Sequence, residues 1–177
     1  MMAAQDPWSV PIRLEDVPES GRQVELNADA AARAAVASQA RVDAVERLFA
    51  VFDLTRRGRD KLHAAGRVRA TIRQTCVVTL EPVVNEVDEE IDVTFGPTPA
   101  AVEARELDLA PASQDPPEPL RNGAIDLGAL ATEFLILGID PYPRKAGVTF
   151  EPPQVADSGG TAFEALAALK KANKVKE

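Results

Sequence analysis

The most regular alternation of apolar and polar residues in the chain lies between Gly66 and Phe95. Side chains alternate between the two faces of a strand, so this pattern predicts two strands, joined tightly at Thr79–Pro82. The largely apolar face of the first strand consists of Val68, Ala70, Ile72, Gln74 and Cys76. Its basic face consists of Arg67, Arg69, Thr71, Arg73 and Thr75. The second has Val87, Glu89, Ile91, Val93 and Phe95 against Glu86, Asp88, Glu90 and Asp92.

The position of the turn decides which charged residues face each other across this hairpin. With the turn centred near Leu80, the predicted pairs are Arg73 with Asp88, Thr71 with Glu90, and Arg69 with Asp92. Facing opposite charges contribute about 0.2–1 kcal/mol per pair and help to set the register. We therefore expect the acidic strand to neutralise part of the basic one.

The residues before the hairpin predict a strand, a turn and a helix. Trp8–Val17 alternates weakly, as a first strand would, and Pro18–Gly21 is typical of a turn. Asn27–Val42 is rich in alanine, the best helix former, and either Asn27 or Asp29 can cap the N-terminus of the helix. Side chains this small require a flat surface close by, which a sheet would provide.

Val45–Arg57 matches the spacing of a strand and also that of a helix. Its β-branched and aromatic residues, followed by a turn at Arg57-Gly58, favour the strand. The polar residues of Arg59–Ala65 then predict a loop that leads into the hairpin.

The second half of the chain alternates between proline-rich segments and helical patterns. Gly96–Leu120 is acidic and proline-rich, which predicts a flexible linker with a short strand at Glu106–Leu109. Asp126 is predicted to cap a helix over Leu127–Ile139. The helix has apolar residues of its own on almost every side, so it should be the most buried element.

These patterns predict one α+β domain over residues 1–145, a linker over 146–160 and a C-terminal helix over 161–177 with a basic end. The capping box Thr161–Glu164 opens that last helix. The expected architecture is a mostly antiparallel sheet, open or barrel-like, packed by two or three helices.

Composition narrows the classes of function. A net charge of −8 argues against a protein that coats nucleic acid with its whole surface, but it permits a local basic patch or a protein partner. One cysteine and one histidine exclude an intrachain disulfide and a His/Cys metal centre within one chain. The sequence contains neither a signal peptide nor an apolar run that could span a membrane, so we expect a cytoplasmic location and no membrane partner.

A basic cluster lies between Arg56 and Arg73, where seven basic residues meet Asp60 alone. The expected hairpin pairing neutralises the part that lies on the strand. The part in and beside the preceding loop remains available for phosphate groups. The predicted RNA-binding residues are therefore Arg56, Arg57, Arg59 and Lys61.

Residues 81–118 have the opposite charge, with eleven acidic residues against Arg105. A solvated spacer accounts for the half that lies in the linker, and the functional alternative is an adaptor that binds a basic protein, such as a ribosomal protein. A nuclease or hydrolase is a third hypothesis, although no His, Lys or Tyr marks a carboxylate pair.

Other candidate chemistry has little support. Cys76 lies on the apolar stripe without a neighbouring base and is predicted to be a buried thiol, and His63 is predicted to be solvated in a loop. The chain contains no phosphate-binding loop, dinucleotide fingerprint or metal-ligand cluster. We therefore predict a protein that is not an enzyme, with no catalytic residues, no metal and no cofactor.

Four stretches in order make the chain resemble the YceD family, whose members are called large ribosomal RNA subunit accumulation proteins. They are Thr75–Val83 with its Cys-x-x-x-Leu-Glu-Pro core, the acidic strand ending in Phe95, Gly123–Leu130 through Asp140–Pro143, and Phe163–Leu169. They span roughly Arg56 to the C-terminus and are most similar to alphaproteobacterial members. The motif positions, whose role the resemblance leaves open, are Cys76, Leu80, Glu81, Pro82, Asp126, Leu127, Asp140, Pro141 and Pro143.

The chain departs from the family pattern at one informative place. Many members carry Cys-x-x-Cys where this chain has Cys76-Val77-Val78-Thr79, and a further Cys near residues 142–147. Because this chain lacks those other cysteines, a metal or redox role is not transferable to it. The resemblance implies a non-catalytic factor in ribosome biogenesis that binds RNA or an assembly partner. The expected partners are ribosomal RNA or its precursor, or a ribosomal or assembly protein, and no DNA is expected.

Overall fold

The computed structural model describes residues 8–97 and 117–150, which form seven strands and two α-helices. In chain order these are β1 (Pro11–Arg13), β2 (Arg22–Asn27), α1 (Ala30–Ala40), β3 (Ala44–Arg57), β4 (Lys61–Thr75), β5 (Pro82–Gly96), β6 (Glu118–Pro119), β7 (Ala124–Asp126) and α2 (Leu127–Gly138). One sheet has the order β2-β3-β4-β5-β6, antiparallel except at β5–β6, and β1 pairs with β7. The α+β prediction is confirmed, and over the described residues the large sheet is open rather than a closed barrel.

The core lies on one face of the large sheet, here called the inner face, where α1 and α2 pack. Alternate residues of β3 and β4 are at most 2% exposed on this face, and they are Leu48, Ala50, Phe52, Leu54, Leu62, Ala64, Val68, Ala70 and Ile72. A side chain at Gly66 would begin 2.3 Å from the Val51 carbonyl oxygen and 2.9 Å from the Phe52 ring. The Val51 carbonyl and the Phe52 ring therefore leave no space for a β-carbon at this position.

The predicted hairpin exists, with the predicted residues on each face, but its register is wrong by four residues. Thr75 pairs with Pro82, so the connection is Cys76–Glu81 and its centre lies earlier than Leu80. The observed facing pairs are Arg69 with Asp88, Thr71 with Glu86, and Arg67 with Glu90. Because the error is an even number of residues, every side chain stays on its predicted face.

The predicted loop at Arg59–Ala65 is also wrong, because β4 begins at Lys61. Leu62 and Ala64 are fully buried and continue the alternation, which the polar residues between them disguise in the sequence. The strand prediction for Val45–Arg57 is confirmed by β3. A three-residue turn connects β3 to β4, with Gly58 at a φ of 75°.

The N-terminal region differs from its prediction in two ways. The expected strand over Trp8–Val17 contains only β1, after which the chain forms a 3-10 helix at Leu14–Asp16. The strand β2 was not predicted, because its sequence RQVELN offers only two apolar side chains to mark an alternation. Asp29, rather than Asn27, caps α1, and its carboxylate accepts the Ala32 N–H at 2.8 Å.

The helix α2 begins after Asp126 as predicted, and this carboxylate accepts the N–H groups of Gly128 and Ala129 at 3.1 Å each. The same carboxylate accepts the Val10 N–H at 2.8 Å, which ties the start of α2 to the segment before β1. We call this pairing of residues 8–14 with β7 and the start of α2 the N-terminal clasp. The expectation of burial all round is wrong, since Leu137 is 74% exposed.

Several predictions fall on parts of the chain that the structure does not describe. Most of the Gly96–Leu120 linker, the strand at Glu106–Leu109 and the C-terminal helix over 161–177 lie outside the described residues. The division into domain, linker and terminal helix therefore stays a prediction. The two described α-helices have eleven and twelve residues, which is too short to cross a membrane.

Candidate nucleic-acid interface

The four predicted RNA-binding residues lie together at one end of the large sheet. Arg56 and Arg57 end β3, Arg59 lies in the turn, and Lys61 begins β4 directly opposite Arg57. All except the half-buried Arg56 are exposed. We call these four residues the basic tip.

The charges of the basic tip have few partners nearby. Over residues 8–97 and 117–150, none of the four forms an ion pair, although Asp60 lies in the same turn. The nearest polar contact is between Arg57 Nη2 and His63 Nδ1, at 3.4 Å. Arg57, Arg59 and Lys61 therefore present their positive charge to solvent, whereas the half-buried Arg56 lies on the opposite face of β3 from Arg57.

His63 is not the solvated loop residue that the sequence predicts. It lies in β4, its side chain is only 15% exposed, and its Nε2 is 2.8 Å from Asp92 Oδ1. A ring that donates from Nε2 to Asp92 can accept from Arg57 at Nδ1. His63 thus orients one arginine of the basic tip through a carboxylate on β5.

The outer face of the large sheet, opposite the helices, carries the remaining basic residues beside the acidic strand. Asp88 accepts from Arg67 at 3.1 Å and from Arg69 at 3.2 Å, whereas Arg73 lies 3.6 Å from Glu46 of β3. The expected neutralisation is confirmed for Arg67 and Arg69, through a different register. These side chains are 43–63% exposed, so each pair contributes at most about 1 kcal/mol.

The opposite end of β4 is built around Cys76, which is fully buried as predicted. Its sulfur accepts the N–H groups of Val78, Thr79 and Lys145, each at 3.4 Å. The Val77 N–H also donates to the Pro143 carbonyl at 2.9 Å. We call this meeting of residues 76–81 with residues 140–145 the cysteine junction.

The environment of Cys76 favours the thiolate. Hydrogen bonds from the Thr79 side chain, then from the N–H groups of Thr79, Lys145 and Val78, lower the pKa of Cys76 to about 6 against the opposing effect of burial. Cys76 supplies a single thiolate, whereas a zinc site needs three or four protein ligands, so the junction does not fit a zinc ion. No group of three or more His, Cys, Asp or Glu within the described ranges is placed to hold a metal ion.

An exposed ion pair lies beside the junction. Lys145 Nζ is 2.9 Å from Glu81 Oε2, and this hydrogen bond lowers the pKa of Glu81 and raises that of Lys145. Lys145 thus contacts the connection Cys76–Glu81 twice, since its main-chain N–H donates to the Cys76 sulfur and its side chain donates to Glu81. Lys145 is not among the predicted site residues, because nothing in the spacing of the sequence places it near Cys76.

The family-motif positions gather at the cysteine junction and at the N-terminal clasp. At the junction, Gln74 Nε2 donates to the Asp140 carbonyl and the Asp140 side chain accepts the Tyr142 N–H, at 2.9 and 2.8 Å. Leu80 is 77% exposed with a φ of 59°, its N–H returns to the Cys76 carbonyl, and the Glu81 carbonyl accepts the Cys76 N–H. The other motif positions are Pro82 at the start of β5, the exposed Pro141, the buried Pro143, and Asp126 and the buried Leu127 at the clasp.

Comparison with known proteins identifies one family. The family model described as "Large ribosomal RNA subunit accumulation protein YceD" matches residues 64–171, more than half of the chain. No curated protein and no solved structure matches the chain. The resemblance predicted from the sequence is thereby confirmed, and the description implies a role in accumulation of the large ribosomal RNA subunit rather than a known enzymatic activity.

Proposed function

Since the chain belongs to the YceD family of large ribosomal RNA subunit accumulation proteins, we propose that it promotes ribosome biogenesis in the cytoplasm by binding ribosomal RNA or its precursor through the basic tip. The role in RNA accumulation follows from the family. Direct contact, and the residues that make it, are our proposal. No catalytic step is needed for a protein that retains RNA by binding it.

The observation that carries this proposal is the exposed charge of three residues of the basic tip, Arg57, Arg59 and Lys61, in an otherwise acidic chain. Four cationic side chains surround one tight turn, and none has an ion-pair partner among the described residues. Phosphate groups can therefore bind without breaking existing pairs. The basic tip precedes residues 64–171, so the family match itself says nothing about these four positions.

The test is filter binding of large-subunit ribosomal RNA fragments at several salt concentrations. Changing Arg56, Arg57, Arg59 and Lys61 together to Glu should weaken binding. It should also reduce the slope of log affinity against log salt, by up to about 0.7 for each phosphate of a single-stranded RNA that the variant no longer neutralises.

A matched control is necessary, because four such changes alter the net charge wherever they are made. The control variant carries the same four-residue change to Glu at exposed positions elsewhere, namely Arg13, Arg22, Arg121 and Arg144. If both variants weaken binding equally, or if neither alters the salt slope, the basic tip is not the contact. Binding of a basic ribosomal protein without any RNA affinity would favour the adaptor hypothesis instead.

A further inference from the structure

The outer face of the large sheet has an aromatic side chain at its centre. Phe49 is 38% exposed, whereas its neighbours Leu48 and Ala50 are buried on the inner face. Asn27 of β2 faces it on one side and Arg69 of β4 on the other. Among the described strands, it is the one Phe, Tyr or Trp residue on the outer face.

Three arginines surround this ring. Arg47 precedes it by two residues on the same face of β3, Arg69 faces it, and Arg67 is a diagonal neighbour on β4. Side chains at facing and diagonal positions lie within reach of one another across adjacent strands. Glu25 of β2 is the one acidic residue at a diagonal position, so the immediate surroundings of the ring are basic on balance and not apolar.

The basic surface lies on the same two strands as the basic tip, and His63 and Ala65 separate the two groups along β4. From Lys61 to Arg73, β4 runs for thirteen residues, which is about 40 Å at the rise of a strand. The acidic residues of the outer face lie mainly on β5, one strand further on, where they are Glu86, Asp88, Glu90 and Asp92; Glu25 of β2 and Glu46 and Asp53 of β3 are the others on these strands. A polyanion that reaches Phe49 is thus attracted to Arg47 and along β4 from Arg67 to Arg73, and repelled at β5.

We propose that this face binds an unpaired stretch of RNA, with one base stacked on Phe49 and its neighbouring phosphates contacted by Arg47, Arg67 and Arg69. The inference rests on the proposed function and extends it to the class of RNA. Stacking needs an unpaired base, because the bases of an RNA duplex lie inside the helix. Phosphates would replace Asp88 as the partner of Arg67 and Arg69, at little cost because exposed ion pairs are weak.

A protein partner fits this face less well. Its apolar side chains near Phe49 are limited to the half-buried Val51, and charged or polar residues occupy the facing and diagonal positions. The centre of a stable protein interface is depleted in charged residues. The observations therefore favour a ligand that combines a flat π surface with negative charge.

The experiment compares single-stranded RNA with a duplex of the same sequence, by fluorescence anisotropy of the full chain at several salt concentrations. Phe49→Ala should weaken binding of the single strand by about 5- to 100-fold, the decrease expected for one stacked base. It should leave the salt slope unchanged, because the ring carries no charge. Phe49→Trp should retain affinity and show fluorescence quenching on addition of the single strand, against the constant background of the buried Trp8.

Tyr142→Ala is the matched control, since Tyr142 is an aromatic residue with 69% exposure that lies at the cysteine junction. Unchanged affinity in Phe49→Ala, with a reduced salt slope in the basic-tip variant, would overturn this inference and leave the proposed function standing. No RNA binding by the parent chain would overturn both. A change in oligomeric state on Phe49→Ala, without a change in RNA affinity, would overturn the inference and assign the face to contacts between copies of the chain.

Discussion

The two ends of β4 are built in opposite ways. At the Lys61 end, the basic tip has charged side chains around a three-residue turn, with no ion pair among the described residues. At the other end, some 45 Å away at the rise of a strand, the cysteine junction binds two loops together through a buried sulfur and main-chain hydrogen bonds. One end leaves its polar groups available to a ligand, and the other satisfies them within the chain.

Stability and binding are assigned to opposite ends of β4. Buried groups that are deprived of a hydrogen-bond partner are costly, whereas exposed charges contribute little to folding. Substitutions at the junction should therefore change stability, and those at the basic tip should change RNA affinity. Three predictions test this separation.

The largest effect on stability is expected at Cys76. Cys76→Ala leaves three N–H groups around a cavity and should lower the free energy of unfolding more than any change at the basic tip. The pKa of about 6 in the folded chain lies below the ordinary value of 9.0, so the thiolate contributes stability that is complete above pH 9 and disappears as pH falls through 6. Urea unfolding at several pH values measures both effects.

Cys76→Ser serves as the control for the pH dependence, because a serine hydroxyl accepts hydrogen bonds but does not ionise in this range. The difference in unfolding free energy between the parent chain and this variant should increase from pH 6 to pH 9. Parallel curves for the two proteins would show that the thiolate does not stabilise the junction.

A smaller effect is expected at Gln74, which is 7% exposed and joins Asn85 of β5 to the Asp140 carbonyl, each at 2.9 Å. Gln74→Met preserves the approximate volume but leaves both partners unsatisfied, which should cost about 1–3 kcal/mol. Arg59→Met places the same residue at the basic tip and should change stability by less than about 0.5 kcal/mol. Equal destabilisation of the two variants in urea unfolding would contradict the separation.

The smallest effect should have the opposite sign. Lys61 faces Arg57, and like charges that face each other destabilise a strand pair. Lys61→Glu should therefore raise the free energy of unfolding by about 0.2–0.5 kcal/mol while it weakens RNA binding. The increase should become smaller as salt is added, and the free energy of unfolding of Lys61→Gln should lie between those of the parent chain and Lys61→Glu. A lower free energy of unfolding in both variants would exclude the explanation by charge.

The alternation of the sequence predicts the strands because burial on one face requires it. The register does not follow from the same pattern, because every even displacement leaves Val68, Ile72 and their neighbours on the inner face. The structure fixes the register through the six-residue connection, in which Cys76 binds Glu81, and residues 140–145 support that connection from far along the chain. Such a long-range contact has no signature in the local sequence.

The sequence likewise predicts one part of the candidate RNA-binding surface and not the other. Charge alone identifies the four residues of the basic tip, since they surround one turn and lie close in sequence. The surroundings of Phe49 depend on two strand pairings, one of them with β2, which the sequence does not predict. The aromatic residue could be noted in advance, but its basic neighbours could not.

The N-terminal clasp has a consequence for the order in which the chain can assemble. The strands β3, β4 and β5 follow one another through connections of three and six residues, whereas β1 must find β7 across more than a hundred residues. The entropic cost of closing a loop grows with its length, so the clasp is the costlier closure. The sheet that carries the basic tip and Phe49 can therefore form first from one continuous segment, and the clasp then fastens α2 across its inner face.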